Sequence, residues 1–586
     1  MSGGSQTEFR GRPLQDLLFL PRLRLAGGRT MAELATYGNV ALWWFVHAEY
    51  EDAARKAVRG DPTGGGFPDT TGWLHRFDRG ALLFASHAAT EFLGALACRL
   101  APRKPPPRSA IKILATSQSI QWREAAAPAA RARSKVDVFF EPVFRGLGRR
   151  GSFGIVTTYP MDGGPEPWYR PLRGWGIAAE RAREPGTPAH RPLELYWSPS
   201  DIMVALTARR HFSKIWRQIS NDPVFRKTFA PLGAAAETLS RRIHYFFVTV
   251  FPREIVTLAR VRRLLDAEAP DLVLMLNEYG RFERGLLLTA RLRGLPVLAL
   301  QHGVIHPAHP GYILPAGSVS ASGSVTAPFS PIPDCTAVYG EYHRRLLVEA
   351  GGYPESAVVV TGQPRYDRLA TDAANFDRAR ILLDLRLDPA KKTVLWTTQT
   401  HWLPEAETRR SIAAVFAMAR LLGVNLIVKL HPGEDQSAQL YREDSSLAPA
   451  IADGRWDTFA LLRACDILLV KDSTTGLEGI GLGKPVVVMS LGPDPAVVDY
   501  VEKGVARLVA RAEDLAPTVR ELLEDDSELA AARPGYVREY LFALDGRAAE
   551  RVVDLIARLS AAKPRAPSVR PTRSPSNAGE SEERPK

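Results

Sequence analysis

Short apolar runs bounded by polar turns alternate with longer stretches of helical spacing over most of this chain. Residues 111–115, 154–158, 271–276 and 296–300 are apolar or β-branched runs of strand length and read as buried strands. Between the last two, residues 284–293 repeat apolar positions at helical spacing and stop at Gly294. Strand, helix and strand in that order form a βαβ unit and predict a mostly parallel sheet. A second series begins near residue 391, with strands at 393–396, 425–429, 466–470 and 486–489 and helices at 409–422 and 458–464. The pattern predicts an α/β protein with two domains in tandem, residues 106–370 and 371–561, facing each other across a cleft. Residues 165–250 hold long helical stretches and read as an insertion.

Residues 1–105 read as a mostly helical extension, joined to the body through the proline-rich linker 103–108. In it, Trp43, Trp44 and Phe45 precede a charged stretch at 49–52. Such a cluster can anchor at a membrane interface or pack the extension onto the body, and packing is the expectation. Residues 81–100 form the longest apolar segment, but His87 and Glu91 interrupt it, so it reads as a core helix and not as a span. Residues 562–586 combine Pro, Ser and charge without apolar periodicity and predict a disordered tail.

Of the 586 residues, 45% are hydrophobic, enough for sizeable cores, and the formal net charge is +12. That charge favours polyanionic partners. The basic residues of 121–183 and 207–263 do not interleave with aromatics as in a nucleic-acid module, so no nucleic-acid partner is expected. They read as solvated faces, some of them suited to an anionic membrane or a phosphorylated lipid acceptor. The three cysteines, Cys98, Cys335 and Cys465, are far apart and fit neither a disulfide framework nor a zinc site. With no signal-peptide pattern at the N-terminus, the expected location is cytoplasmic, with the inner face of the membrane as one option.

The richest chemistry lies at 471–485, where an apolar strand runs into a small polar loop and then a helix. The loop sets Ser473, Thr474, Thr475 and free backbone N–H groups at a helix N-terminus, which suits an anion. Glu478 follows one turn later, within reach of a ribose hydroxyl. Residues 397–401 end the first strand of the second domain and add hydroxyl and amide donors for a diphosphate, among them Thr400 and His401. Arg365, between the domains, can clamp the same group with both arms of its guanidinium. Lys429 closes a strand that leads into His431. In the first domain, Glu278 and His302 follow neighbouring strands, where ligands of open parallel sheets bind. Either can act as the base that deprotonates an acceptor hydroxyl. His306 and His309 can line the same mouth. No metal site is expected.

Four of these segments carry a family resemblance over roughly 255–515: 300–303 around Gln301-His302-Gly303, 361–365 ending in Arg365, Lys429-Leu430-His431-Pro432, and 472–485. Together and in this order they resemble the glycosyltransferases with two facing Rossmann-like domains, the GT-B fold. The likeness is to the bacterial surface-polysaccharide branch that includes capsule and teichoic-acid transferases. The resemblance implies a metal-independent transferase without a cofactor. It would take a nucleotide-sugar donor on the second domain and a polysaccharide or lipid-linked glycan acceptor on the first. It further implies that Arg365, Thr400, His401, Lys429, Ser473, Thr474, Thr475 and Glu478 hold the donor. His431 would donate to the leaving phosphate, as the His-Pro motif does in sialyltransferase-like relatives. The UDP-N-acetylglucosamine 2-epimerases share the fold and similar motifs, although their N-terminal Gly-Thr-Arg-Pro-Glu signature is absent here. An epimerase and a non-catalytic assembly relative are therefore the alternatives.

Overall fold

The computed structural model describes residues 8–9, 12–13, 17, 19–59, 80–105, 107–118, 121–124, 135–160, 170–371, 376–399, 403–431, 434, 440–441, 449–453, 456–492 and 496–561. The expected disordered tail, 562–586, lies outside them, as do Thr400 and His401.

Two fully parallel sheets organise the chain. The first is built from β1 (Ile111–Thr116), β2 (Phe153–Thr158), β3 (Ala189–His190), β4 (Leu272–Met275), β5 (Val297–Leu300), β6 (Cys335–Val338) and β7 (Val358–Val360). Its spatial order is β7-β6-β5-β4-β1-β2-β3. The chain thus winds outward from β1 in one direction, then returns to β4 on the other side of β1. That reversal makes the gap between β1 and β4 the topological switch point of a Rossmann-like sheet. The second sheet contains β8 (Thr393–Thr397), β9 (Asn425–Lys429), β10 (Ala450–Ala452), β11 (Ile467–Val470), β12 (Val486–Met489) and β13 (Arg507–Val509), in the order β10-β9-β8-β11-β12-β13.

Because side chains alternate along a strand, both faces of these apolar strands are buried, each under its own layer of helices. In the second sheet, Val394, Trp396, Ile467 and Leu469 pack with Val415 and Met418 on one face. Leu395, Leu468 and Val470 pack with Leu461, Leu477 and Tyr540 on the other. In the first sheet, Val273 and Met275 meet Val261, Leu264 and Leu286, while Leu272 and Leu274 meet Val143, Leu147, Val552 and Ile556.

The last contact departs from the sequence reading, which placed everything from 371 to 561 in the second domain. The final helix, Ala548–Ala561, crosses back and packs on the first sheet. Its start is held by Asp367, whose carboxylate accepts from the N–H groups of Ala548 and Ala549 at 2.8 Å each. The domains also meet where Gly340 lies against the helix Ser527–Leu541. A Cβ there would fall 2.4 Å from the Glu539 carbonyl oxygen, so only glycine fits. Beside it the Tyr342 and Tyr540 rings stack at 4.2 Å.

The N-terminal extension is part of the first domain's body. Its helix Trp43–Arg59 shares one core with the helices Ser200–Asn221, Ala234–Tyr245 and Phe251–Glu268. Trp43, Trp44 and Phe45 are buried in that core, and the Trp44 indole N–H donates to the Pro328 carbonyl at 2.8 Å. They are packing residues, which removes the anchor reading. The helices around 200–250 form the expected insertion between β3 and β4.

One element corrects the sequence reading. The helix Gly80–Leu100 was expected inside a core, yet Phe92, Leu93, Leu96 and Leu100 on it are exposed, Leu100 at 72%. Among the described residues no helix is long and apolar enough to cross a membrane.

Candidate functional site

The carboxyl ends of the two sheets face each other. Gly303, just beyond β5, sits so close to the loop after β11 that a Cβ would reach Thr474 Cγ2 at 4.0 Å. This juxtaposition brings the loops 301–303 and 472–475 to one seam.

On the second-domain side, the loop after β11 is held from three directions. Asp472 accepts from the Val497 N–H at 2.6 Å, and its own N–H donates to Gln399 Oε1 at 2.8 Å. The Tyr500 hydroxyl donates to the Ser473 carbonyl at 3.1 Å. Ser473 donates its hydroxyl to Thr475 Oγ1 at 2.9 Å and accepts from the Thr475 N–H at 3.1 Å. Its side chain thus closes a tight turn onto Thr475, the first residue of the helix Thr475–Gly481. Gly476 is required on that helix because Tyr500 packs against it, 2.3 Å from where a Cβ would stand.

Glu478 lies on the same short helix and is 2% exposed. Its Oε1 is 3.2 Å from Arg365 Nη1, while its Oε2 is buried with no hydrogen-bond partner. Burial pushes the carboxyl above the usual range and Arg365 pulls it back. The guanidinium of Arg365 lies between two rings, with centroids 4.9 Å away for Phe459 of the second domain and 5.8 Å for Phe139 of the first. Arg365, expected to clamp a diphosphate, here pairs with Glu478 at the seam beside those two rings.

On the first-domain side, His302 continues this chain of contacts, its ring 6.4 Å from Phe139 and 6.2 Å from Tyr279. Its Nδ1 is buried and unpartnered. Burial lowers its pKa to about 4, so the imidazole is neutral at pH 7 and able to take a proton. Two buried amides hold the loop that carries it. Gln301 donates to the Gly303 carbonyl at 2.8 Å and accepts from the Tyr339 N–H at 2.8 Å. Gln363 donates to the Tyr339 hydroxyl at 2.8 Å and accepts from the Arg365 N–H at 3.4 Å. His309 stacks edge-on against Tyr279 at 5.1 Å, and His306 lies 5.5 Å from His309.

Glu278 does not join His302. It is 3% exposed and accepts from the Tyr353 hydroxyl at 2.7 Å and from Thr336 at 3.2 Å, within the first domain. Burial raises its pKa to about 7. The preceding residue, Asn277, has a left-handed φ of 51°, which breaks the alternation of the strand before Glu278 is reached. The sequence reading placed Glu278 and His302 together at the cleft; here Glu278 is instead bonded to Tyr353 and Thr336. Lys429 turns its amine onto the Leu430 carbonyl at 3.1 Å. The His431 N–H donates to Thr398 Oγ1 at 3.2 Å, fixing the backbone of that loop. Among the described residues no group of three or more His, Cys, Asp or Glu side chains is placed to hold a metal ion. Sequence reasoning missed Phe139, Phe459, Gln301, Gln363 and Tyr339. Only the two glutamines carried a signal, through their places in the Gln-His-Gly and Gly-Gln-Pro-Arg motifs.

Two Rossmann-like sheets with carboxyl ends meeting at a seam, and a C-terminal helix returned to the first, define a GT-B type of fold. Residues 329–558 match the model of a family described as CDP-glycerol:poly(glycerophosphate) glycerophosphotransferase, a family of transferases. No curated protein matches the chain. Among solved structures, the UDP-N-acetylglucosamine 2-epimerase of Neisseria meningitidis bound to UDP-GlcNAc is 13% identical, covering 76% of this chain and 99% of its own, with a TM-score of 0.44. The corresponding enzyme of Methanocaldococcus jannaschii gives 13%, the same coverages and 0.45. The wall teichoic acid polymerase TagF gives 12%, 53% of this chain, 85% of its own, and 0.35. At such values the fold rests on the topology itself.

Proposed function

We propose that the protein is a transferase that moves a glycerol phosphate from a cytidine-diphosphate-linked donor on the second domain to a hydroxyl of a polymer acceptor on the first. The observation that carries this reading is a pair of orphaned buried atoms, Glu478 Oε2 and His302 Nδ1, at the two ends of one contact chain through Arg365 and Phe139. One end suits a ribose hydroxyl and the other an acceptor hydroxyl. The family match over 329–558 favours glycerol phosphate over a sugar as the transferred group. In the step, the acceptor oxygen attacks the phosphorus next to glycerol and His302 Nδ1 takes its proton. The bond from that phosphorus to the bridging oxygen breaks, and CMP leaves. His431 is the candidate donor to the departing phosphate, with no metal needed for the step.

A place at the cytoplasmic face of an anionic membrane fits this chemistry. Phe92, Leu96 and Leu100 recur every fourth residue along one side of their helix, and Leu93 is exposed beside them. Arg99 and Arg103 are exposed nearby along the chain. An apolar ridge with arginines around it suits a lipid surface carrying the acceptor.

The donor is tested by thermal shift against CMP, CDP-glycerol, UDP and UDP-N-acetylglucosamine, because a ligand that binds only the folded state raises its stability. Stabilisation by the cytidine compounds alone is expected. Stabilisation by the uridine compounds alone, with conversion of UDP-N-acetylglucosamine in the absence of acceptor, favours the epimerase reading instead.

A further inference from the structure

Six residues at the seam close a ring of contacts, and the transfer step above uses only part of it. His302 and Arg365 both lie beside the Phe139 ring, at 6.4 Å and 5.8 Å. They are joined a second time through Gln301, Tyr339 and Gln363. These three stand past the carboxyl ends of the adjacent strands β5, β6 and β7. The backbone ladder runs one step beyond the strands. There the Gln301 N–H donates to the Ala337 carbonyl at 2.9 Å and the Thr361 N–H to the Val338 carbonyl at 3.0 Å. From that point side chains carry the pairing. The Gln301 amide spans from the Tyr339 N–H to the Gly303 carbonyl, at 2.8 Å each, so it grips the loop on the far side of His302. Gln363 Nε2 donates to the Tyr339 hydroxyl at 2.8 Å and lies 3.4 Å from the Gln301 carbonyl, and its Oε1 accepts from the Arg365 N–H at 3.4 Å.

Both glutamines are buried, at 1% and 5% exposure, and all four of their side-chain polar atoms have partners. Such amides add little net stability over apolar side chains of the same shape. A fully satisfied buried network adds rigidity instead. The residue that this rigidity reaches is His302, which lies inside the Gln301 grip and whose Nδ1 has no partner of its own.

We propose that Gln301 and Gln363 are positioning residues that hold His302 in register with Arg365, so that the base keeps a fixed place relative to the donor side of the seam. This deepens the transfer reading and rests on His302 as its base. A base displaced by about 1 Å can cost about 10²-fold in rate.

The test reads His302 directly, by a proton-resonance titration of the full-length protein with labelled histidines, its signal being the one lost in His302→Ala. Burial holds the wild-type imidazole at a pKa of about 4, and a loosened loop lets it climb towards the ordinary 6.5. His309 and Tyr279 beside it stay neutral between about pH 5.5 and 8, so movement of the signal in that window reports His302 itself. The wild-type signal is expected to stay still there. In Gln301→Leu and Gln363→Leu it is expected to titrate. Tyr339→Phe, which removes only the oxygen that Gln363 donates to, is expected to do the same without loss of fold. In all three variants kcat for acceptor-dependent release of CMP from CDP-glycerol should fall by about tenfold or more, while CMP affinity stays at the wild-type value. A still signal in Gln363→Leu and Tyr339→Phe overturns the proposal, even where the melting temperature falls, because a merely structural role moves stability and not the His302 titration. CMP affinity that falls in step with kcat overturns it as well. A wild type that releases no CMP refutes the transfer reading alone, because the titration needs no turnover and still decides the positioning.

Discussion

Arg365 and Glu478 meet at the domain seam with 3.2 Å between Nη1 and Oε1, and the guanidinium is stacked between a ring from each domain. The pair couples two jobs that mutation can separate. Arg365→Ala strands a buried carboxylate and is expected to cost about 3–5 kcal/mol of stability. Glu478→Gln removes the charge but keeps the shape, so it is expected to fold and to bind nucleotide about 10- to 100-fold more weakly, through loss of a charged acceptor for the ribose. Denaturant unfolding and calorimetric titration of both variants check this. Unchanged nucleotide affinity in Glu478→Gln removes the ribose assignment.

Glu278 makes a stability prediction with a definite sign. Its folded-state pKa, about 7, lies above the ordinary carboxyl value, so its protonated form is the one the fold favours. Stability from this group is complete below about pH 4.5 and is lost as pH rises through 7. Glu278→Gln mimics the protonated form and still accepts from Tyr353. It is expected to be more stable than the wild type at pH 8, by about 3 kcal/mol at most, and equal to it near pH 4. Denaturant midpoints at the two pH values decide, and a variant less stable at pH 8 contradicts the placement.

Much of this arrangement was legible in the sequence. Residues 425–429 and 486–489 became strands with those bounds, because a short apolar run between turn signals leaves little freedom. The loop at 472–475 was legible for the same reason. Contacts between distant segments were not legible. Nothing in the local pattern pairs Phe139 with Phe459 around Arg365. The amphipathic spacing of the last helix shows that it must bury a face but not which sheet will receive it. At Glu278, a position past the end of a strand neighbouring that of His302 did not reveal that the carboxylate bonds to Tyr353 and Thr336.

The last helix supplies a further test. Val552, Val553, Leu555 and Ile556 cover the first sheet, so a chain ending at residue 547 bares that face. It is expected to lose on the order of 5 kcal/mol or more, whereas a chain ending at 561 serves as the stable control. Thermal melts of the two truncations compare them. Equal melting temperatures contradict the crossing.

The exposed ridge predicts membrane behaviour independently of catalysis. Leu96→Glu with Leu100→Glu is expected to lower binding to vesicles rich in anionic lipid by at least about tenfold. Thermal stability should stay unchanged, because both side chains are already exposed. Cosedimentation measures the first and a melt the second. Undiminished vesicle binding locates the membrane contact elsewhere.

The central claim is acceptor-dependent transfer with His302 as base, and release of CMP from CDP-glycerol tests it most directly. CMP is expected to form only when a glycerol-phosphate acceptor is present, and EDTA is expected to leave the rate unaltered. His302→Ala should slow release by about 10²-fold or more while nucleotide affinity stays near the wild-type value. Because burial holds the imidazole near pKa 4, the acid limb of kcat/KM should fall near pH 4 and not near 6.5. CMP release at the wild-type rate by His302→Ala, or no release under any acceptor condition, contradicts the account.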